Sequence, residues 1–287
     1  MAEQVAILAG GCFWCTESDF DHVPGVLATT SEGGGVRRGN LVATVTLLLL
    51  FTIALVLVVA VLIIPLRGAI AEAGSRLVTH GTLYFALIGM GFMLIEIGLL
   101  QRMSIFLGHP VYSLSVLLST LILSTGSGSF LSEKLPLRSS GRLVFWGVAT
   151  GVYAFSLPFI LGPLFAAFSA AELGTRIALC VAFIAPAGIL LGFGFPTGMR
   201  LVSAIDPKPA PWFWGINGAA GVLASILAVT LSLALGISAT LVLGALCYFL
   251  LVPISLTLLR AEKIMATKPT EKPQNVIRKA KSPARSR

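Results

Sequence analysis

The stretch YFALIGMGFMLIEIGLLQRMSIFLGHP, residues 84–110, decides the fold class. It is dominated by apolar side chains and is long enough to carry an α-helix across a bilayer core, which takes about 20 residues. One carboxylate, Glu96, sits inside it. A charge at that depth costs at least ~2.5 kcal/mol even on insertion-based scales, so an intramembrane ionisable residue is a functional candidate by default.

Working outward, the apolar span around Glu96 is read as residues 82–100. Six more are read at 41–64, 111–131, 143–165, 177–199, 212–235 and 237–259, and none of those six contains a charged residue. Composition agrees. Of 287 residues, 56% are hydrophobic and 11% are charged, where a soluble domain carries about 25% charged residues. The expected fold is mainly α: a polytopic transmembrane helical bundle of about seven helices, preceded by a short α/β-like N-terminal stub. The expected divisions are a stub over 1–35, a helical domain over 36–260, and a basic disordered tail over 261–287.

The net charge of +8 does not point to nucleic acid. The basic residues fall in loops and in the tail, where anionic headgroups and the positive-inside rule account for them. Arg37, Arg38, Arg102 and Arg176 lie on the amino-terminal side of the spans. Arg67, Arg76, Lys134, Arg138, Arg142, Arg200 and Lys208 lie on the other side with the tail. The excess predicts a cytoplasmic carboxyl terminus and an external amino terminus, in an inner (plasma) membrane of bacterial type, with the lipid bilayer as the principal partner. No secretory signal peptide is expected, because residues 1–4 lack a basic region.

Several packing marks are legible. Gly147 with Gly151, and Gly188 with Gly192, form GxxxG pairs, and Ala220, Gly221, Ala224, Ser225 and Ala228 make a small-residue face. Small residues let helix backbones approach closely in lipid. Pro158, Pro186 and Pro196 are expected to interrupt the fourth and fifth spans. Residues 65–81 read as a polar connection with room for an interfacial helix. Trp212, Trp214 and Tyr112 are expected to anchor at the interface, and Cys180 and Cys247 to act as small buried hydrophobes. Arg102 follows Glu96 by six residues, so direct contact needs snorkelling or a neighbouring helix. His80, His109, Arg200 and Asn217 are the other polar groups near span ends. Glu96 then either pairs with one of these or stays protonated for structural reasons, or it forms a proton or cation site lining a cavity.

Residues 1–35 differ from the rest. They hold five acidic residues and no Lys or Arg. Residues 5–9 read as a buried strand, Gly10-Gly11 as a turn, 12–23 as helical, and 26–30 as a second strand. Gly33-Gly34-Gly35 is expected to break the chain. Cys12 falls at the start of the helix, where backbone amides and the dipole favour thiolate. Cys15 makes a CxxC pair with it. Two cysteines without further ligands are half of a zinc site, so no metal and no cofactor are expected.

AILAGGCFWCTESDFDHVPGVLATTSEGGG, residues 6–35, resembles the active-site segment of peptide methionine sulfoxide reductase A, through the GCFW run followed by Glu17. The resemblance implies that Cys12 is the nucleophile that becomes a sulfenic acid and that Glu17 supplies the proton. Cys15 is placed to resolve the sulfenic acid as a disulfide. Phe13 and Trp14 would cage the methyl-sulfur group. The implied partners are a methionine sulfoxide substrate and a thiol reductant. Residues 84–116, 192–201 and 211–225 together resemble the membrane half of the spermidine-synthase-like integral membrane proteins. That implies a membrane module, and without the family's Gly-rich nucleotide loop it implies no polyamine synthesis. Ser31-Glu32-Gly33-Gly34-Gly35 stands where the reductases carry Gly-Tyr-x-Gly-Gly. The expected function is therefore a membrane module joined to a reductase segment of little or no activity. The alternative is a membrane-anchored peptide-methionine (S)-S-oxide reductase using Cys12.

Overall fold

The structure is a computed structural model that describes residues 33–267. The expected stub, with both its strands and its helix, lies outside the described residues. Within them every regular element is helical, and seven helices are long and apolar enough to cross a membrane.

The first span comprises α1, Gly33–Leu57, continued by a π turn over Val58–Ile63, a further α turn over Ile64–Leu66 and a 3-10 turn over Arg67–Ile70. The change of winding surrounds Pro65, which has no N–H to give the preceding turn. It is followed by α2, Ser75–Leu107, α3, Pro110–Lys134, and α4, Ser140–Ala167. The fifth span divides into α5, Leu173–Gly192, and α6, Gly194–Ile205. The chain finishes with α7, Ala210–Leu235, and α8, Ile237–Thr267.

The helices run past the apolar stretches that predict them. α1 starts inside the triple glycine expected to break the chain, and α8 continues into the stretch expected to be disordered. Arg260-Ala261-Glu262-Lys263 are good helix formers, and Pro269 disfavours helix at the residue before it. The connection read at 65–81 holds a short 3-10 helix, Arg67–Ile70, and α2 begins within it at Ser75. The link from α2 to α3 is legible residue by residue. Gly108 takes a left-handed φ of 73° and gives its N–H to the Ser104 carbonyl; His109 caps α3 through its ring, and Pro110 fills the first turn. This is the order of glycine stop, cap and proline start expected between two helices.

α2 is the centre. One face packs on α7 and the opposite face on α8, which in turn packs on α4; α3 and α5 form a second pair. Each crossing is closed by glycine. A Cβ on Gly89 would strike the Asn217 carbonyl of α7, and one on Gly91 would meet Cys247 and Tyr248 of α8. The expected GxxxG pairs do the same: Gly147 and Gly151 admit Val252 and Phe249, while Gly188 and Gly192 lie on Ser124 and Thr125. Cys180 and Cys247 are buried free thiols, as expected.

Of the three expected proline interruptions, Pro158 and Pro186 stay within continuous helices. The break falls at Phe193, next to Pro196, which cannot give an N–H to the Gly192 carbonyl. Ring donors from neighbouring helices satisfy backbone carbonyls along this broken span. Trp146 Nε1 donates to the Leu190 carbonyl at 2.8 Å, Tyr153 to Phe183 at 2.9 Å, and Tyr84 to Gly194 at 3.0 Å. Where water is scarce, freed backbone groups need such partners. Trp212 corrects its reading as an interface anchor. It is buried, and its Nε1 donates to the Thr82 hydroxyl, because α7 presses its first turn onto α2. Trp214 and Tyr112 are exposed.

Candidate functional site

Glu96 sits half-buried in the last third of α2. Residues 89, 93 and 96 recur at helical spacing and share a face. Gly89 abuts Asn217, and Gly221 lies against Met93, so this face looks toward α7. Among the described residues Glu96 has neither a hydrogen bond nor an ion pair; Lys208 and Glu72 form an exposed ion pair at 2.9 Å far from it.

The structure brings none of the expected partners to Glu96. Six residues of helix turn Arg102 by roughly 120° from Glu96 and set it about 9 Å along the axis. Arg102 points elsewhere and donates to the Ser238 hydroxyl. His80 lies at the Arg76 carbonyl, 2.8 Å away, and His109 caps α3. Arg200 donates to Ser132 at 2.6 Å, and Asn217 to the Phe85 carbonyl at 3.2 Å. The pairing reading of Glu96 is thus corrected: each candidate is engaged by a nearer acceptor or by a donor of its own. The small apolar void on α2 is lined by Ile95 with Thr150 and Tyr153, and Glu96 is not part of its wall.

Two further polar groups went unnoticed in the sequence. The Tyr248 hydroxyl and the Thr197 hydroxyl are buried and have no partner in the described structure. Tyr248 packs edge-on to Trp146 at a centroid distance of 6.2 Å. No sequence signal separates a satisfied tyrosine such as Tyr84 from an unsatisfied one such as Tyr248, because the partners lie on other helices. No group of metal-ligating side chains occurs among the described residues. Cys12, Phe13, Trp14, Cys15 and Glu17 all lie outside the described residues.

Comparison with known proteins bears on that amino-terminal segment. The peptide methionine sulfoxide reductase family matches residues 4–40. MsrA 2 of Rhizobium meliloti (strain 1021), a peptide methionine sulfoxide reductase, is 65% identical over 37 residues, which is 13% of this chain and 19% of that protein. MsrA of Psychrobacter sp. (strain PRwf-1) is 55% identical over 38 residues, 13% of this chain and 22% of that protein. The MsrA/MsrB protein of Vibrio cholerae (serotype O1, El Tor Inaba N16961) is 59% identical over 32 residues, 11% of this chain and 8% of that protein. The chain spans about a fifth or less of the length of these curated relatives. No solved structure matches.

Proposed function

We propose that the chain is an integral membrane protein whose helical bundle is a non-catalytic module of the spermidine-synthase-like membrane kind, with Glu96 as its proton or cation site. The observation that carries this reading is the isolation of Glu96: a half-buried carboxylate on the α2 face toward α7, with Arg102, Arg200 and Asn217 each bound elsewhere. An unpaired carboxylate in hydrocarbon needs a proton or a cation to balance it. The seven long apolar helices support membrane insertion. The loop charges support an amino terminus outside and a carboxyl terminus in the cytoplasm. Labelling Ser286→Cys in intact cells, in a protein that also carries Cys12→Ser and Cys15→Ser, tests that orientation, and reaction with an impermeant maleimide added outside would reverse it.

The test of Glu96 uses a hydrophobic carbodiimide, which reaches protonated carboxyls within a bilayer. Modification of the membrane-embedded protein at Glu96, absent from Glu96→Gln, is the expected mass-spectrometric result. The same variant should change stability by no more than ~0.5 kcal/mol, since no partner is left behind. A loss of ~3 kcal/mol or more would reveal a cation that Glu96 neutralises, and would restore the pairing reading.

A second reading is favoured by the 65% identity of the amino-terminal segment to a reductase: a membrane-anchored peptide-methionine (S)-S-oxide reductase using Cys12, Glu17 and Cys15. Attack on a sulfoxide needs the thiolate held within about 3–3.5 Å of sulfur, and such placement comes from the packing around a site. The segment corresponds to only about a fifth of a reductase, so turnover by purified protein with dithiothreitol should be negligible. Robust reduction of a methionine-S-sulfoxide peptide, abolished by Cys12→Ser, would make the reductase reading primary.

A further inference from the structure

Two arginines, Arg102 and Arg176, are both anchored at the end of the bundle where α2 finishes. Arg102 leaves the penultimate turns of α2, and its Nη2 donates to Ser238, at the exposed start of α8. Its Nη1 passes beside Gly162 of α4. Arg176, in the first turn of α5, donates from Nη1 to the carbonyl of Phe106 at 3.0 Å. Phe106 follows Arg102 by four residues, so Arg176 binds a carbonyl of α2 one helical turn beyond the residue that carries the Arg102 side chain. The Phe106 ring stacks flat on Phe165 of α4, with centroids 3.9 Å apart.

Among the described residues neither arginine is in an ion pair. Glu172, one turn before Arg176, is exposed and does not reach it, and the Lys208–Glu72 ion pair lies at the opposite end of the bundle. Both side chains are half-buried, and the Nε of each is buried without an acceptor. Their partners are a neutral hydroxyl and a backbone carbonyl, which hold the guanidinium planes in place but leave both positive charges unbalanced. A stacked aromatic pair beside two oriented forks is suited to an anion with several acceptor oxygens, and guanidinium matches phosphate in shape as well as charge.

We propose that Arg102 and Arg176 form a phosphate-binding site for the headgroup of an anionic phospholipid, at the end of the bundle opposite Lys208. The inference rests on the membrane reading above. The position favours lipid over free phosphate. Arg102 is only five residues from the end of α2, about 8 Å, which is headgroup depth for a spanning helix. The flank of α4 nearby carries exposed Phe159 and Ile160, an apolar surface along which acyl chains can lie.

The test uses the full chain, delipidated in a neutral detergent and titrated with short-chain phosphatidylglycerol, short-chain phosphatidylcholine or inorganic phosphate, with binding read by native mass spectrometry. Phosphatidylglycerol should bind about thirtyfold more tightly than phosphatidylcholine, and Arg102→Gln or Arg176→Gln should each remove about fivefold of that preference. Arg102→Lys keeps the charge with minimal change in volume. It serves if a glutamine variant fails to fold, and it should retain the preference for phosphatidylglycerol in weakened form. Equal binding of the two lipids by folded protein overturns the site. Saturation by inorganic phosphate at the affinity of the lipid overturns the lipid source. Release of the protein from membranes by alkaline carbonate overturns the membrane reading instead, and is measured separately.

Discussion

The first span and α2 are both long apolar helices, yet one lies outside and the other at the centre. No residue of the span Val42–Ile70 is buried, whereas α2 buries side chains along its length, among them Tyr84, Phe85, Leu94 and Leu99. Apolarity does not distinguish them. α2 carries Gly81, Gly89, Gly91 and Gly98 at positions where other helices press in. Residues 42–67 contain no glycine, and the first span lies against α7 at the rim of the bundle, where Leu62 and Leu66 cover Gly215. In hydrocarbon there is little gain from hiding one apolar side chain behind another. Close approach of backbones and satisfied polar groups decide which helix is inside.

The most severe test of that contrast is Gly89→Leu. The Asn217 carbonyl stands where the new side chain must go, so α7 has to move, and a loss of ~3 kcal/mol is expected in detergent unfolding. Unchanged stability would mean that the α2–α7 contact is not what centres α2. Next is Trp146→Phe, which strips the Leu190 carbonyl of its donor and should cost ~1–3 kcal/mol. A neutral outcome would show that the broken span satisfies itself without neighbours.

A pair of tyrosines sharpens the point further. Tyr84→Phe removes a bond to the Gly194 carbonyl and should cost ~1 kcal/mol, whereas Tyr248→Phe removes a buried hydroxyl with no partner and should be neutral or stabilising. Equal losses from both would point to an unseen partner at Tyr248. The smallest effect is expected outside the bundle: Leu49, exposed on the first span, should tolerate Leu49→Ala within ~0.5 kcal/mol. A larger loss would place another surface against that span.

Much of the fold is legible in residue order. The apolar runs mark the helices, Gly108-His109-Pro110 marks the turn between α2 and α3, and the GxxxG pairs mark real crossings. Helix ends are less legible, because Ser75–Thr82 and Arg260–Thr267 are polar enough to read as loop yet form helix by propagation from the apolar turns beside them. Proline is ambiguous for a related reason. Pro158 and Pro186 are carried by continuous helices, while the break comes beside Pro196, which stands among Gly192, Gly194 and Gly198.

The sequence by itself determined that the chain builds long apolar helices, that one of them holds a lone carboxylate, and that residues 6–35 resemble a methionine sulfoxide reductase segment, in line with the family match over 4–40. Periodicity, residue size and local motif are properties of neighbouring positions, so they can be read in order. Only the tertiary structure decided that α2 is central, that Glu96 has no partner among the described residues, and that Arg102 and Arg176 are each held by a neutral acceptor at the same end of α2. Those facts depend on which helices meet. Glu96 and Arg102 are six residues apart but face different neighbours, whereas Arg102 reaches Ser238 across 136 residues. Contacts between helices are set by the shapes of whole faces, and no short stretch of sequence contains them.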